Sequence, residues 1–191
     1  MPSSKDHTET LYPSEEKLKK IYDQYKTQVY NTVLSMVQTV PDAEEITQDV
    51  FVDVYFNLHS FKEKSSLNTW IYRIAINKSL DFLKSKKRKK RFAWLTSLFD
   101  PESGNLRHDQ ADFVHPGVML ENKERAAILF KEIDRLPDNQ KTAFLLSQVE
   151  GLSYEEINKV MQNSISSVES LLFRAKQNLR KMLYKYGKGF N

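Results

Sequence analysis

The chain contains no cysteine, which excludes disulfides and thiolate metal sites and allows a reducing compartment. Five glycines and six prolines in 191 residues are too few for an all-β protein, which needs many special turns. No apolar run is long enough to cross a bilayer as a helix, and the polar opening MPSSKDHTET lacks the form of a signal peptide, so a cytoplasmic protein without membrane insertion is expected. Catalytic signals are missing as well. His7, His59, His108 and His115 are scattered without ligand spacing, Glu44 and Glu45 fall on solvated helix faces, and no glycine-rich phosphate loop is present. Neither enzyme activity nor a metal or cofactor is expected.

Hydrophobic residues make up 40% of the chain and aromatics 12%, enough for real cores and too much for general disorder. Long stretches rich in Leu, Ile, Lys, Glu and Gln predict an all-α fold of two small helical domains joined by a flexible linker. Residues 1–13 read as a loose tail. Ser14 opens a helix on which Leu18, Ile21, Tyr22, Tyr25, Val29 and Val33 recur at helical spacing. Pro41-Asp42 interrupts it, with Asp42 expected to cap the next helix, whose Ile46, Val50, Val54 and Leu58 line one side while Glu45, Gln48, Asp49 and Val52 share another. A third, long helix starts near Leu67, burying Ile71, Ile74, Leu80 or their neighbours, and closes a first domain at residues 14–91. Turn and loop signals in residues 92–118 predict a linker, with a helical turn at residues 92–99 as an option. The second domain, residues 119–187, holds helices at 119–136, 139–150 and 154–161, with Gly151 a C-cap and Ser153 with Glu156 a capping box. Ser166 or Ser167 is expected to cap a last helix running to about Tyr186.

The net charge of +4 decides little, but its distribution is informative. Residues 84–91, KSKKRKKR, and residues 174–188 form two basic patches, and residues 100–112 between them are acidic, which suits two separate contacts with a polyanion. In residues 151–178 a short helix, a tight turn and a longer helix make the helix-turn-helix pattern. Ile157, Met161, Ile165, Val168, Leu172 and Ala175 would pack inward against Leu145 and Leu146. Ser166, Ser167, Glu169, Ser170, Phe173 and Arg174 would lie on or near the outer face, with Leu171 a discordant apolar residue beside them. Such a face fits the major groove, although an ordinary helical hairpin with a solvated side has the same pattern. Around the third helix, Phe61, the 62–66 loop, Trp70 and Asn77 could line one end of a helix pair and accept an unstacked base. Taken singly, Trp70 and Tyr72 are ordinary core candidates and the basic run an ordinary solvated helix end.

The runs DAEEITQDVFVDVYFNLHSF, SSLNTWIYRIAINKSLDFLKSKKRK and LPDNQKTAFLLSQVEGLSYEEINKVMQNSISSVESLLFRAK resemble, in order, domain 2 and domain 4 of the sigma-70 family of bacterial RNA polymerase initiation factors, specifically its extracytoplasmic-function (ECF) group. The resemblance covers nearly the whole chain after the tail. It implies a transcription initiation factor that binds polymerase core through its β′ and β subunits and directs it to promoter DNA. Glu45, Gln48, Asp49 and Val52 would face the β′ clamp helices. Phe61, Lys62, Lys64, Ser65 and Asn77 would capture a non-template base of the −10 element, with Trp70 a structural support for that loop, and Lys84, Lys87 and Arg88 would hold backbone phosphates. Ser167, Ser170, Phe173 and Arg174 would contact the −35 element. An anti-sigma factor is a further implied partner. Glu169 and Leu171 stand where relatives often carry a basic residue, so an unusual −35 preference is expected. The rival reading is a stand-alone helix-turn-helix regulator that binds a two-fold symmetric duplex without polymerase, and it leaves the TWIYRIAIN run unused. An RNA-binding adaptor is a more distant rival that leaves the C-terminal hairpin unexplained.

Overall fold

The computed structural model describes residues 13–62, 65–97 and 123–187. Within these the chain forms seven α-helices and no strand, in agreement with the all-α expectation. They are α1 (Glu15–Val37), α2 (Val40–Asn57), α3 (Leu67–Ser97), α4 (Lys123–Asp134), α5 (Asp138–Gln148), α6 (Tyr154–Met161) and α7 (Ile165–Leu183). Short 3-10 turns at Leu58–Ser60 and Tyr184–Tyr186 follow α2 and α7. Helices α1, α2 and α3 pack on one another, and α4, α5 and α6 gather around α7. The tail at residues 1–12, Lys64, and the expected linker from residue 98 onward lie outside the described residues. Helix α3 continues to Ser97, past the expected end at residue 91, and so takes in residues 92–97 of the optional helical turn, whose last two residues lie outside the described ones.

Local chemistry explains most helix ends. The Ser14 hydroxyl accepts from the Lys17 N–H, which satisfies one of the donors orphaned at the start of α1. Helix α2 begins earlier than expected. Its cap position is Thr39, Val40 is its first residue, and Pro41 sits in the first turn, where a missing N–H costs nothing. Asp42 is therefore inside the helix, where its carboxylate accepts from the Thr39 hydroxyl and pairs with Lys86 at 2.9 Å. Burial pushes the Asp42 carboxyl up, but these two partners outweigh it and hold it below the usual range. The last helix also differs from expectation: Ser164, not Ser166 or Ser167, caps α7 by accepting from the Ser167 N–H. Ile165 is left 41% exposed instead of packing inward.

The end of α1 is the centre of the molecule. Thr32, Val33, Leu34, Ser35, Met36 and Val37 are all buried, so the helix is covered around its whole circumference. Helices α2 and α3 cover one side and α5 the other, with the Thr142 hydroxyl of α5 against the Met36 sulfur at 3.9 Å. Polar groups in this dry setting need partners. Thr32 donates to the Gln28 carbonyl at 2.9 Å, Ser35 to Asn31 at 2.8 Å, Ser79 of α3 to Ala75 at 2.8 Å and Thr142 to Asp138 at 2.8 Å. Each hydroxyl bonds back one turn, a local solution that satisfies it within its own helix.

Longer-range polar contacts join the first three helices to the last four. Tyr72 donates to the Glu150 carboxylate at 2.9 Å, Arg73 to the Lys159 carbonyl at 2.6 Å, and Gln38 through Nε2 to the Phe130 carbonyl at 2.9 Å. Lys87 pairs with Asp138 at 2.6 Å. Burial pushes the Glu150 carboxyl above its usual range, and its hydrogen bonds with Thr32 and Tyr72 return only part of that shift. Burial and the Glu150 charge push the Tyr72 phenol upward too.

Two predictions follow from these contacts. Gln38 and Gln162 both adopt left-handed backbone, at φ 58 and φ 55. Glycine relieves about 1–2 kcal/mol of that strain and returns roughly 0.5–1 kcal/mol in chain entropy. Gln162→Gly is expected to raise unfolding free energy by up to about 1 kcal/mol. Gln38→Gly should gain nothing, because it also loses the Phe130 bond, worth about 1 kcal/mol. Urea denaturation of both variants checks the contrast. The second prediction concerns pH. The fold holds the Glu150 proton more tightly than the unfolded chain does, so that contribution is complete below the ordinary glutamate pKa and is lost as pH rises through the raised value. Glu150→Gln keeps an acceptor for Tyr72 and no longer titrates. Its melting temperature should match the parent near about pH 4 and exceed it increasingly toward neutrality; a constant gap across that range would contradict the assignment.

Candidate nucleic-acid interface

Three surfaces contain the residues singled out by the sequence. The first is the outer side of α2. Glu45, Gln48, Asp49 and Val52 are all exposed on one stripe, and Ile46, Val50 and Val54 on the opposite side are buried. Val52 and Phe56 are about half exposed, at 50% and 49%. Phe56 follows Val52 by one turn and stands edge-on to Tyr55 at 5.2 Å, so the stripe ends in an aromatic step. The i+4 spacing from Val52 was available in the sequence and could have revealed Phe56. Apolar side chains at the end of an acidic, amide-bearing stripe suit a protein partner better than a polyanion.

The second surface lies where α3 begins. The Ser66 hydroxyl accepts from the Thr69 N–H at 3.1 Å and shares a 2.8 Å contact with the Thr69 hydroxyl, which fixes the first turn. This brings the half-buried Trp70 ring against Phe61, with centroids 5.4 Å apart and planes tilted by 43°. Phe61 in turn is held by its N–H to the Leu58 carbonyl at 3.2 Å. These two aromatics form a pair of the kind on which unpaired bases can stack, with Lys62 exposed and Ser65 half-buried. Asn77 is exposed seven residues past Trp70 on the same side of the helix, about 10 Å along its axis. Between them Arg73 carries the bond to Lys159, a contact that sequence spacing gave no sign of. Of the expected packing residues on α3, Ile71 is buried, and Ile74 and Leu80 are half-buried behind Tyr72, Ala75 and Ile76.

The basic end of α3 is less free than its composition suggests. Lys84 pairs with Asp81 at 3.2 Å, Lys86 with Asp42 and Lys87 with Asp138. Arg88, Lys89 and Lys90 are exposed beyond them. The Lys84 pair is solvated on both sides, and such pairs contribute about 0–1 kcal/mol, so it can be exchanged for another anion at little cost.

The third surface is the helix pair α6 and α7. The capping box forms as expected: Ser153 accepts from the Glu156 N–H at 3.3 Å, and the Glu156 carboxylate accepts from the Ser153 N–H at 2.8 Å. The backbone bond from Ser153, and then its hydroxyl, hold the Glu156 carboxyl below its usual range. Ile157 and Val160 of α6 are buried with Val168, Leu172 and Ala175 of α7, while Met161 is partly covered. Gln162 makes the tight turn, and Asn178 donates to Gln140 at 2.9 Å, tying α7 to α5. Ser166, Glu169, Ser170, Phe173 and Arg174 are exposed on the outer side of α7, and Ser167 is half-buried. Leu171 is partly buried against the core, which removes the discordance noted in the sequence. Phe173 is 63% exposed, too open for a structural role.

Comparisons with known proteins place both halves of the chain in one family. Sigma-70 region 2 matches residues 21–89 and Sigma-70, region 4 matches residues 126–179. The RNA polymerase sigma-H factor of Pseudomonas aeruginosa is 31% identical over 159 residues, covering 83% of this chain and 82% of the relative. The ECF RNA polymerase sigma factor SigW of Bacillus subtilis is 30% identical, over 85% of this chain and 87% of its own. Among solved structures, the sigma factor RpoE of Bartonella quintana, bound to the anti-sigma factor NepR, aligns with TM-score 0.66 at 20% identity, over 88% of this chain and 98% of its own. CnrH in complex with the cytosolic domain of CnrY aligns with TM-score 0.63 at 16% identity, over 91% and 92%. Among the described residues no helix is long and apolar enough to cross a membrane. Two sigma-70 regions in order, with relatives 30–31% identical over most of both chains, make this chain an ECF member of the sigma-70 family, a sigma factor that directs transcription by RNA polymerase.

Proposed function

We propose that the chain divides initiation between its two halves, with residues 14–91 as domain 2 and residues 119–187 as domain 4. In this reading the α2 stripe of Glu45, Gln48, Asp49 and Val52, extended by Phe56, docks on the β′ subunit of polymerase core in the cytoplasm. Phe61, Lys62, Lys64, Ser65 and Asn77 receive a non-template base of the −10 element as the duplex breathes, and Lys84, Lys87 and Arg88 hold the flanking phosphates. Helix α7 enters the major groove of the −35 element with Ser167, Ser170, Phe173 and Arg174 toward the bases. An anti-sigma factor acts on the free form.

The observation that carries the reading is the Phe61–Trp70 platform at the start of α3, on the same chain as an outward-facing α7. One surface suits unpaired bases and the other suits intact duplex, and initiation needs both. A stand-alone regulator has no use for the first. The exposed Val52 and Phe56 further favour a protein partner for α2.

Transcription from a cognate promoter by purified core enzyme, with and without the chain, is the direct test. Phe61→Ala and Asn77→Ala are expected to lower open-complex formation roughly tenfold, about 1.4 kcal/mol, with core affinity unchanged. Asp49→Lys should do the reverse, weakening core binding about tenfold while the folded chain is intact. Permanganate footprinting and core titration separate the two effects; promoter opening by the Phe61 and Asn77 variants at the parental level would refute the capture step.

A further inference from the structure

The outward stripe of α7 lacks positive charge where it would penetrate a groove most deeply. Ser166, Glu169, Ser170 and Phe173 occupy its first turns on the exposed side, opposite the buried Val168 and Leu172. The described cations nearby are Lys159 on α6, Arg174 beside Phe173, and Lys176, Arg180 and Lys181 further along α7. Lys159, Lys176, Arg180 and Lys181 suit the flanking phosphates, Arg174 stays toward the bases at the side of the stripe, and the first turns are left to Glu169 and Phe173. The neighbours of Glu169 at three and four residues are Ile165, Ser166, Leu172 and Phe173, so the helix supplies no cation to neutralise it, and no ion pair to it occurs among the described residues.

An ionised carboxylate accepts hydrogen bonds and donates none. In the major groove guanine offers only acceptors, thymine an acceptor and a methyl group, and adenine a donor beside an acceptor. Cytosine offers its amino donor without an adjoining acceptor on the same base. Elsewhere along DNA the same carboxylate is repelled by phosphate, which lowers sequence-independent affinity. Phe173 lies one turn further on, about 6 Å along the axis, the length of about two base-pair steps. Its open ring is a partner for a thymine methyl.

On the reading of α7 as the major-groove helix, we propose that Glu169 and Phe173 determine which upstream element this sigma factor selects: one containing a cytosine read by Glu169, with a thymine one or two steps away read by Phe173. Glu169 is thus a selectivity residue that lowers general DNA affinity in exchange for discrimination.

The test uses holoenzyme reconstituted from bacterial polymerase core and the full chain, offered a promoter pool randomised across the upstream element. Sequencing of the retained DNA should show cytosine enriched at one position by roughly fivefold or more over the other bases. Glu169→Gln should move the preference at that position to adenine, which a glutamine amide pairs on two atoms, and should tighten binding to random duplex. Glu169→Lys should move it to guanine. Phe173→Ala should erase the neighbouring thymine preference and keep the cytosine. Both positions are exposed, and helicity with core affinity confirms that each of the three variants is folded. An upstream preference that is the same in the parent and in Glu169→Gln overturns this inference and leaves the α7 reading standing. No upstream preference in the parent overturns the α7 reading itself.

Discussion

The fold depends on the last six residues of α1 being dry on every side. A helix normally shows one face to water, and residues 32–37 show none. Such a segment is stable only if apolar surface arrives from more than one direction, and here α2 and α3 supply one direction and α5 the other. The hydroxyls in this region, which would otherwise be costly to bury, are quieted within their own helices by bonds to carbonyls four residues back. The segment therefore sets the positions of both α3, with its aromatic platform, and α5, against which α7 is tied.

The candidate surfaces are built on different electrostatic plans. The basic end of α3 is partly neutralised by carboxylates from α2, from α5 and from α3 itself, while Arg88, Lys89 and Lys90 are exposed beyond these pairs. Helix α7 has the opposite plan, with an unpaired anion in its first turns and its cations further along. The first arrangement favours attraction without regard to sequence, and the second favours choice. A sigma factor has use for both, since grip and address are separate requirements of initiation.

What the sequence revealed was what local chemistry decides. Ser14, the Ser153–Glu156 box and the alternation of buried and exposed residues on α2 depend on neighbours within one turn, and all were readable. The start of α2 differs from expectation because Pro41, which interrupts a helix interior, is well placed in a first turn to begin one. Ser164 lost to Ser166 and Ser167 as the expected cap because three serines crowd the turn, and only the backbone decides which one precedes the first helical residue. Ile165 followed the apolar period but fell on the first turn, outside the packed zone. Lys141 is the extreme case. It is 1% exposed and its ammonium meets Asp134 at 2.6 Å, with burial lowering its pKa, and nothing in its charge announced an interior position. The contacts of Tyr72 with Glu150 and Arg73 with Lys159 span 78 and 86 residues and were equally invisible. Membership of the family is legible because it is written in long ordered runs; the polar joints between helices pair residues far apart in the chain, where no local signal marks them.

One of those joints has a consequence for how the protein meets its surroundings. Lys87 already has a carboxylate in hand, from Asp138 at the start of α5. Any outside anion that approaches this lysine meets a resident competitor, so its recruitment is a swap of one negative group for another, not a simple attraction across empty solvent. Swaps of that kind nearly cancel in charge, and dissolved ions weaken the departing pair as well as the incoming one. The lysine should therefore discriminate by fit more than by field strength, answering to a group shaped and placed to displace its tenant and ignoring anions that merely drift past.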